Sequence, residues 1–422
     1  MTPLEHLRRA FWAAVEAAQP NDLAPYLPPL PQGRLVVVGA GKAAARMAQT
    51  VEMHYATLLE GLVITRYGHA LPTQHIEVVE AAHPVPDSSG RAATQRILKL
   101  CRSLKEDDLL LCLLSGGGSA LLSAPAGISL EQQAELTKRL LKSGASIQEM
   151  NILRKHLSHV KGGLLAVAAQ PARVLTLVIS DVVGDDLSSI ASGPTVPDSS
   201  TYEEALSVLQ RYEIDMPEVR ERLGRGLRGE IPETPKANHP AFERSETHII
   251  ASNQQSLLAA KAYFESQGIT AHILSDSVTG EAREVAKVHA SIVKQILRHN
   301  QPFTHPCVLL SGGETTVTMR SLENNRVGRG GRNAEFALSL ACELTGLSSV
   351  YALAADTDGI DGSEDNAGAF VTPNVFNDIS LSEARGHLHA NDSYSFFERS
   401  GHLFVTGPTH TNVNDLRLIW IG

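Results

Sequence analysis

Short runs of consecutive apolar residues recur along this chain, each ending abruptly in glycine, serine or an acidic residue. They alternate with longer stretches in which apolar residues return every three or four positions. Residues 34–48 (RLVVVGAGKAAARMA), 109–122 (LLLCLLSGGGSALL), 174–180, 248–251, 269–274, 308–310, 350–355 and 416–421 carry the short runs. A run apolar at every position is what a strand covered on both faces requires, as in a parallel sheet. The intervening segments, among them 4–18, 89–102, 254–267, 281–297 and 334–345, have helical spacing. Strand and helix in alternation predict an α/β protein with mainly parallel sheets in three-layer α/β/α domains. Residues 232–240 (PETPKANHP) are polar, broken by proline and aperiodic, which marks a linker. The expected division is a Rossmann-like α/β domain over 1–240 and a second α/β domain over 241–422.

Local signals sharpen the element ends. Thr2, Pro3 and Glu5 form a capping box with proline at the first helical position, and Ser129 with Gln132 repeats the box. Asn253 is the expected cap of 254–267, and Asn333 that of 334–345, which stands Arg332 at a helix N-terminus.

Composition narrows the function classes. A 422-residue chain with 43% hydrophobic residues can build real cores, and a formal net charge of −9 argues against binding a nucleic-acid backbone. Cys101, Cys112, Cys307 and Cys342 lack metal-ligand spacing, so reduced, packed thiols are expected. No signal peptide and no apolar stretch of membrane-spanning length is visible. The expectation is a soluble cytoplasmic protein without nucleic-acid or membrane partners, its oligomeric form open to a homodimer.

The chemistry collects at the strand ends. Ser115, Gly116, Gly117, Gly118 and Ser119 follow one apolar run, and Ser311, Gly312, Gly313, Glu314 and Thr315 follow another. Bare glycine amides can curl around an anion, so both stretches are candidate phosphate loops, and their repetition points to two related halves. GAGKAA at 39–44 fits a dinucleotide fingerprint. The next strand, however, ends in Thr65-Arg66 with no acidic residue for a ribose, and Lys42 puts a cation where a dinucleotide site needs only amides. A lysine there can serve a transferring phosphoryl group. Asp181, beyond the run 174–180, is placed to take a hydroxyl proton or to hold Mg²⁺. Glu314, Asp356 and Asp358 are candidate Mg²⁺ ligands. Arg332 makes an anion clamp with its helix end. Arg154 and Lys155, in a basic cluster, and Asn253 are candidates for holding an acceptor.

Taken in order, GAGKAA, HPVPD, LLSGGGSALL, RKHLS–KGG, ISDVVGDD–SGPT, LSGGETTV, GRGGRNAEFAL, AADTDGIDG, NDS and TGPTHTNVND span about 35 to 415. In this the chain resembles the glycerate 2-kinases whose C-terminal half is called the MOFRL domain. The resemblance implies two α/β/α domains with the active site in the cleft between them. It implies transfer of the γ-phosphoryl group of ATP, with Mg²⁺, to the 2-hydroxyl of D-glycerate, and it points to Lys42 and Arg332 as catalytic cations. The alternative is an NAD(P)H-dependent hydroxypyruvate reductase using GAGKAA, with Arg66 on a 2′-phosphate. A non-catalytic sugar-phosphate sensor stands third.

Overall fold

Strands β1 (Leu35–Ala40), β2 (Glu60–Arg66), β3 (Glu77–Ala81), β4 (Leu109–Leu114), β5 (Arg173–Ile179) and β6 (Ser245–Ala251) form one sheet, in the order β3-β2-β1-β4-β5-β6. The computed structural model describes residues 1–56, 59–319 and 328–422. From β3 across to β5 every pairing is parallel. Both β1 and β4 are buried at all six positions, as their unbroken apolar runs demand. Val36, Val38, Leu110 and Cys112 pack with Ala93, Ile97 and Leu165 from the covering helices. The strand order reverses between β1 and β4, and ligands of doubly wound sheets gather beyond the carboxyl ends at such a reversal.

The second sheet is built from β7 (Ala271–Glu281), β8 (Cys307–Thr316), β9 (Val350–Asp356), β10 (Gly368–Val371), β11 (Leu403–Phe404) and β12 (Asp415–Ile421), in the order β11-β10-β9-β12-β8-β7. It is mixed. β7 and β8 run parallel, β12 is antiparallel to β8 and β9, and β10 is antiparallel to β9 and β11. Four strands therefore share one direction and two return against it. Because β12 runs backwards between β8 and β9, it begins where they end. Asp415 thus lies opposite Gly313 and opposite Asp356. The repeated glycine stretches point to two related halves, but the mixed pairing of the second sheet differs from the parallel pairing of the first, so the halves are not copies of one another.

The chain divides into one compact unit over Pro20–Ile250 and another made of Met1–Gln19 with Ala251–Gly422. Two expectations change here. The first helix, Pro3–Ala18, has the predicted capping box but belongs with the C-terminal residues. Its stripe Leu7, Phe11 and Val15 packs on Leu257, Ala260 and Phe264 of helix Asn253–Ser266, and Ala14 O accepts from Ser256 Oγ at 2.8 Å. Burying each large side chain of that stripe is worth about 1.5–3 kcal/mol, ample to dock a single helix. Residues 232–240 are not a free linker either. Thr234 Oγ1 donates to the buried Asp198 at 2.9 Å, which fastens the segment into the first unit.

All four cysteines are free and buried, and burial pushes the Cys101 thiol up to about 12. Among the described residues no helix is long and apolar enough to cross a membrane.

Candidate active site

At the carboxyl edge of the first sheet, the GAGKA turn and the SGGGS loop are sewn to one another. Gly41 N–H donates to Ile64 O at 3.0 Å and Lys42 N–H to Gly116 O at 2.8 Å. Ala43 N–H donates to Ser115 Oγ at 3.0 Å. Three successive amides are thereby taken by protein. A β-carbon on Gly39 would stand 2.3 Å from Leu113 O, and one on Gly41 2.1 Å from Ser115 Oγ. These glycines exist because two strand ends approach closely. The product of this packing is a half-buried Lys42 ahead of helix Ala44–Tyr55, beside a loop that turns through Gly117 at φ +85° into the short helix Gly118–Leu121.

Beyond that loop lies a line of polar groups. Ser119 Oγ and Ser192 Oγ are 2.8 Å apart, and Ser192 Oγ donates to Asn151 Oδ1 at 3.0 Å. Arg154 Nη1 donates to the same oxygen at 3.3 Å. Arg154 has no carboxylate partner among the described residues, and burial pulls it down to about 10. An arginine so placed suits an anionic ligand. Lys161, fully buried with Nζ on Leu122 O, is held down to about 7 by burial and by Arg154. Lys155 is different. Its Nζ pairs with Asp198 at 3.1 Å with both side chains buried, so the expectation that it binds substrate is corrected to a structural ion pair. Asp181 is half-buried two residues past β5, on the same sheet edge as Lys42.

In the second unit, helix Arg332–Glu343 starts at Arg332 itself. Asn333 does not cap it. Asp361 does, accepting Asn333 N–H at 2.9 Å on one oxygen and Ala334 N–H at 2.8 Å on the other. Burial and the neighbouring Asp415 outweigh those bonds and push Asp361 up to about 6. Arg332 is gripped on all sides: Nε by Asp415 at 2.7 Å, Nη1 by Glu314 at 2.6 Å and Nη2 by Asp356 at 2.8 Å. Burial works against its charge, yet Asp415, Asp356 and Glu314 together hold the guanidinium well above its ordinary range.

Several expectations fall on this geometry. Glu314 and Asp356 turn toward Arg332, while Asp358 Oδ1 accepts from Ile360 N–H at 2.8 Å. Among the described residues no group of three or more His, Cys, Asp or Glu side chains could hold a metal ion, so these three do not form a protein-only Mg²⁺ centre. Gly312 and Gly313 do not form a phosphate loop, because β8 continues straight through them. Thr315 gives both its N–H (3.1 Å) and its hydroxyl (3.3 Å) to Asp415. Asn253 is the first helical residue, not a cap, and its Nδ2 donates to Val413 O and Asp415 O at 2.6 and 3.0 Å. It fastens the start of β12, and its expected role in substrate binding gives way to that.

Comparison with known proteins now places the whole. A family model described as a domain of unknown function, DUF4147, matches residues 6–224, and the MOFRL family model matches 307–415. D-glycerate 2-kinase from Thermotoga maritima is 44% identical over 92% of this chain and 91% of its own length. The chain belongs to the glycerate 2-kinase family. A crystal structure of a Thermotoga maritima glycerate kinase superposes with a TM-score of 0.85 at 40% identity, covering 99% of this chain and 98% of that one. A protein from Agrobacterium vitis with a provisional hydroxypyruvate reductase name is 48% identical over 99% of this chain and 94% of its own.

Within this glycerate 2-kinase fold, the sequence alone does not single out Asp415, Asn151, Ser192 or Asp361. One signal was available. Arg417 interrupts the apolar run LRLIWI, and a charge inside a buried strand has to be paired. Its partner is Asp415, two residues back on the same face.

Proposed function

We infer that this protein is an ATP-dependent kinase that phosphorylates the 2-hydroxyl of D-glycerate, giving 2-phosphoglycerate. The family carries both kinase and reductase names, and one observation favours the first. The amides of Gly41, Lys42 and Ala43, which a dinucleotide pyrophosphate would need, are taken by Ile64, Gly116 and Ser115. What the turn offers instead is the Lys42 ammonium.

Phosphoryl transfer asks mainly for positioning and charge neutralisation. Lys42 and Arg332 supply the cations that offset charge on the transferred group. Gly116, Gly117, Gly118 and Ser119 contact nucleotide phosphates. Asp181 takes the proton of the attacking hydroxyl as the new P–O bond forms and the bond to ADP breaks. Arg154, with no carboxylate of its own, holds the glycerate carboxylate. A nucleotide-borne Mg²⁺ keeps most of its ligands from water and phosphate and needs one or two protein carboxylates. Asp358 is the one we assign to it, since Glu314 and Asp356 serve Arg332; the ion would neutralise phosphate charge.

A paired assay tests the reading. ADP release should require D-glycerate and Mg²⁺, and phosphorus NMR should place the new ester on carbon 2. Oxidation of a nicotinamide by hydroxypyruvate, without ADP release, would overturn it.

A further inference from the structure

Asp415 stands at the centre of the charged groups in the second unit, although it lies at the start of a strand and is fully buried. One of its oxygens accepts from Arg332 Nε at 2.7 Å and from Asn333 Nδ2 at 2.8 Å. The other accepts from Thr315 N–H at 3.1 Å, from the Thr315 hydroxyl at 3.3 Å and from Arg417 Nη2. Five donors on one carboxylate occupy all its lone-pair directions, so it has no capacity left to act as a base or a ligand. Arg417 is itself immobile: fully buried, with its guanidinium 5.1 Å from the centre of the Phe336 ring and a bond of 2.9 Å to Thr315 Oγ1.

The three carboxylates around Arg332 are not equivalent. Asp415 is wholly buried, Asp356 nearly so, and the Glu314 side chain is 45% exposed. Glu314 can leave Arg332 by rotating into water. Asp415 cannot move without breaking bonds to two strands and a helix. Asp415 on Nε and Asp356 on Nη2 fix the plane of the guanidinium, and Nη1, on the exposed Glu314, is the arm that can turn to a ligand.

We propose that Asp415 is the positioning residue for Arg332: a carboxylate locked by Arg417, Thr315 and Asn333 that holds Nε so that Nη1 meets the transferred phosphoryl group in a fixed plane. This rests on the role of Arg332 given above. It also accounts for the reversed strand, because only a strand entering against β8 and β9 can set its first residue between their ends.

The test uses the full chain with Asp415→Glu, which keeps the charge and lengthens the arm by one methylene, and Asp415→Asn, which keeps the shape. Asn333→Ala, which strips one donor from the same carboxylate, serves if neither folds. Each is compared with Arg332→Ala for kcat, for KM, for melting temperature, and for rescue of Arg332→Ala by added guanidinium. We expect kcat to fall about a hundredfold in Asp415→Glu, the loss an ångström of misplacement brings, with KM for glycerate unchanged. Guanidinium should revive Arg332→Ala and fail to revive Arg332→Ala/Asp415→Glu. Equal rescue in both backgrounds, or normal kcat in a folded Asp415 variant while Arg332→Ala is inactive, would overturn the positioning role and leave that of Arg332 standing. Normal turnover in Arg332→Ala would overturn both.

Discussion

Ser115–Gly116–Gly117 and Ser311–Gly312–Gly313 both follow apolar runs, of six and four residues, and fold in opposite ways. After Leu114 the first chain segment leaves the sheet and turns through a positive φ at Gly117. The second stays in the sheet, paired to β12 on one side and β7 on the other. A β-carbon on Gly313 would lie 2.4 Å from Val278 N and O, and one on Gly312 1.7 Å from Asn253 Oδ1. Glycine in the first segment gives the backbone a conformation. In the second it makes room for neighbours remote in sequence, with Gly313 also at a positive φ. The same letters therefore put a loop turning out of the sheet at its carboxyl edge in one unit and a closely packed strand beneath an arginine in the other.

The sharpest way to break this comparison is to remove each unit's cation. Lys42→Ala should lower kcat about 10²–10³-fold, the usual result of deleting one electrostatic contact to a transition state. Arg332→Ala should match that kinetic loss and also destabilise the fold by roughly 3–5 kcal/mol, because the buried Asp356 loses an ion-pair partner and Asp415 keeps Arg417 as its cation but loses the bond on its other oxygen. Steady-state kinetics with urea unfolding on both variants separates the two. Equal stability losses would mean that the cations are held alike.

The glycines come next. Gly313→Ala meets backbone on both sides at a φ of +111°, and should cost about 3 kcal/mol or more. Gly117→Ala also has a positive φ, but its new methyl would meet only the His83 ring edge at 3.1 Å, which can shift. We expect about 1 kcal/mol there and a larger effect on KM for ATP. Melting curves with KM values decide it, and a Gly313→Ala protein as stable as the parent would refute the packing account.

These contrasts show what was legible beforehand. The alternation of buried runs and helical stretches gave both α/β sheets, the capping boxes at Thr2 and Ser129, and the strand ends where Lys42, Asp181 and Asp356 sit. Those features depend on neighbours along the chain. The strand pairing of β12, the capping of Arg332–Glu343 by Asp361 and the Lys155–Asp198 pair join residues 28 to about 100 positions apart, and no local pattern encodes them. The expectation that Glu314 and Asp356 hold Mg²⁺ gives way for the same reason. Glu314 and Asp356 look uncommitted until Arg332 is brought between them.

The units should also answer pH with opposite slopes. Lys161, ordinarily near 10.5, is lowered to about 7 in the first unit. Between those values the unfolded chain holds the proton and the folded one does not, so stability rises with pH from about 7 to 10.5. Asp361, ordinarily near 3.8, is raised to about 6 in the second. There the folded chain holds the extra proton, so stability falls as pH rises from about 4 to 6. At about 1.4 kcal/mol per pKa unit, each slope amounts to a few kcal/mol. Hydrogen exchange, corrected for intrinsic rates, should register the first in β4 amides and the second in β9 amides. Lys161→Met should flatten the alkaline slope and leave the acidic one in place.

The smallest effects fall on the paired serines. Ser115 Oγ accepts the buried Ala43 N–H, and Ser115→Ala strands that donor in the turn carrying Lys42. An unsatisfied buried amide costs about 1–3 kcal/mol. That turn carries Lys42, so KM for ATP should rise along with the loss of stability. Ser311 sits against a ring. His289 Nδ1 is 2.9 Å from Val285 O and therefore carries the proton, which leaves Nε2 to accept the Ser311 hydroxyl at 2.9 Å. Burial lowers that imidazole to about 4, so it stays neutral at every pH where the enzyme is assayed. Ser311→Ala then loses one neutral hydrogen bond, about 1 kcal/mol, with kinetic constants unchanged. A kinetic defect in Ser311→Ala would mean that strand β8 transmits to Arg332 through the bonds of Thr315, and the contrast between the two serines would fall.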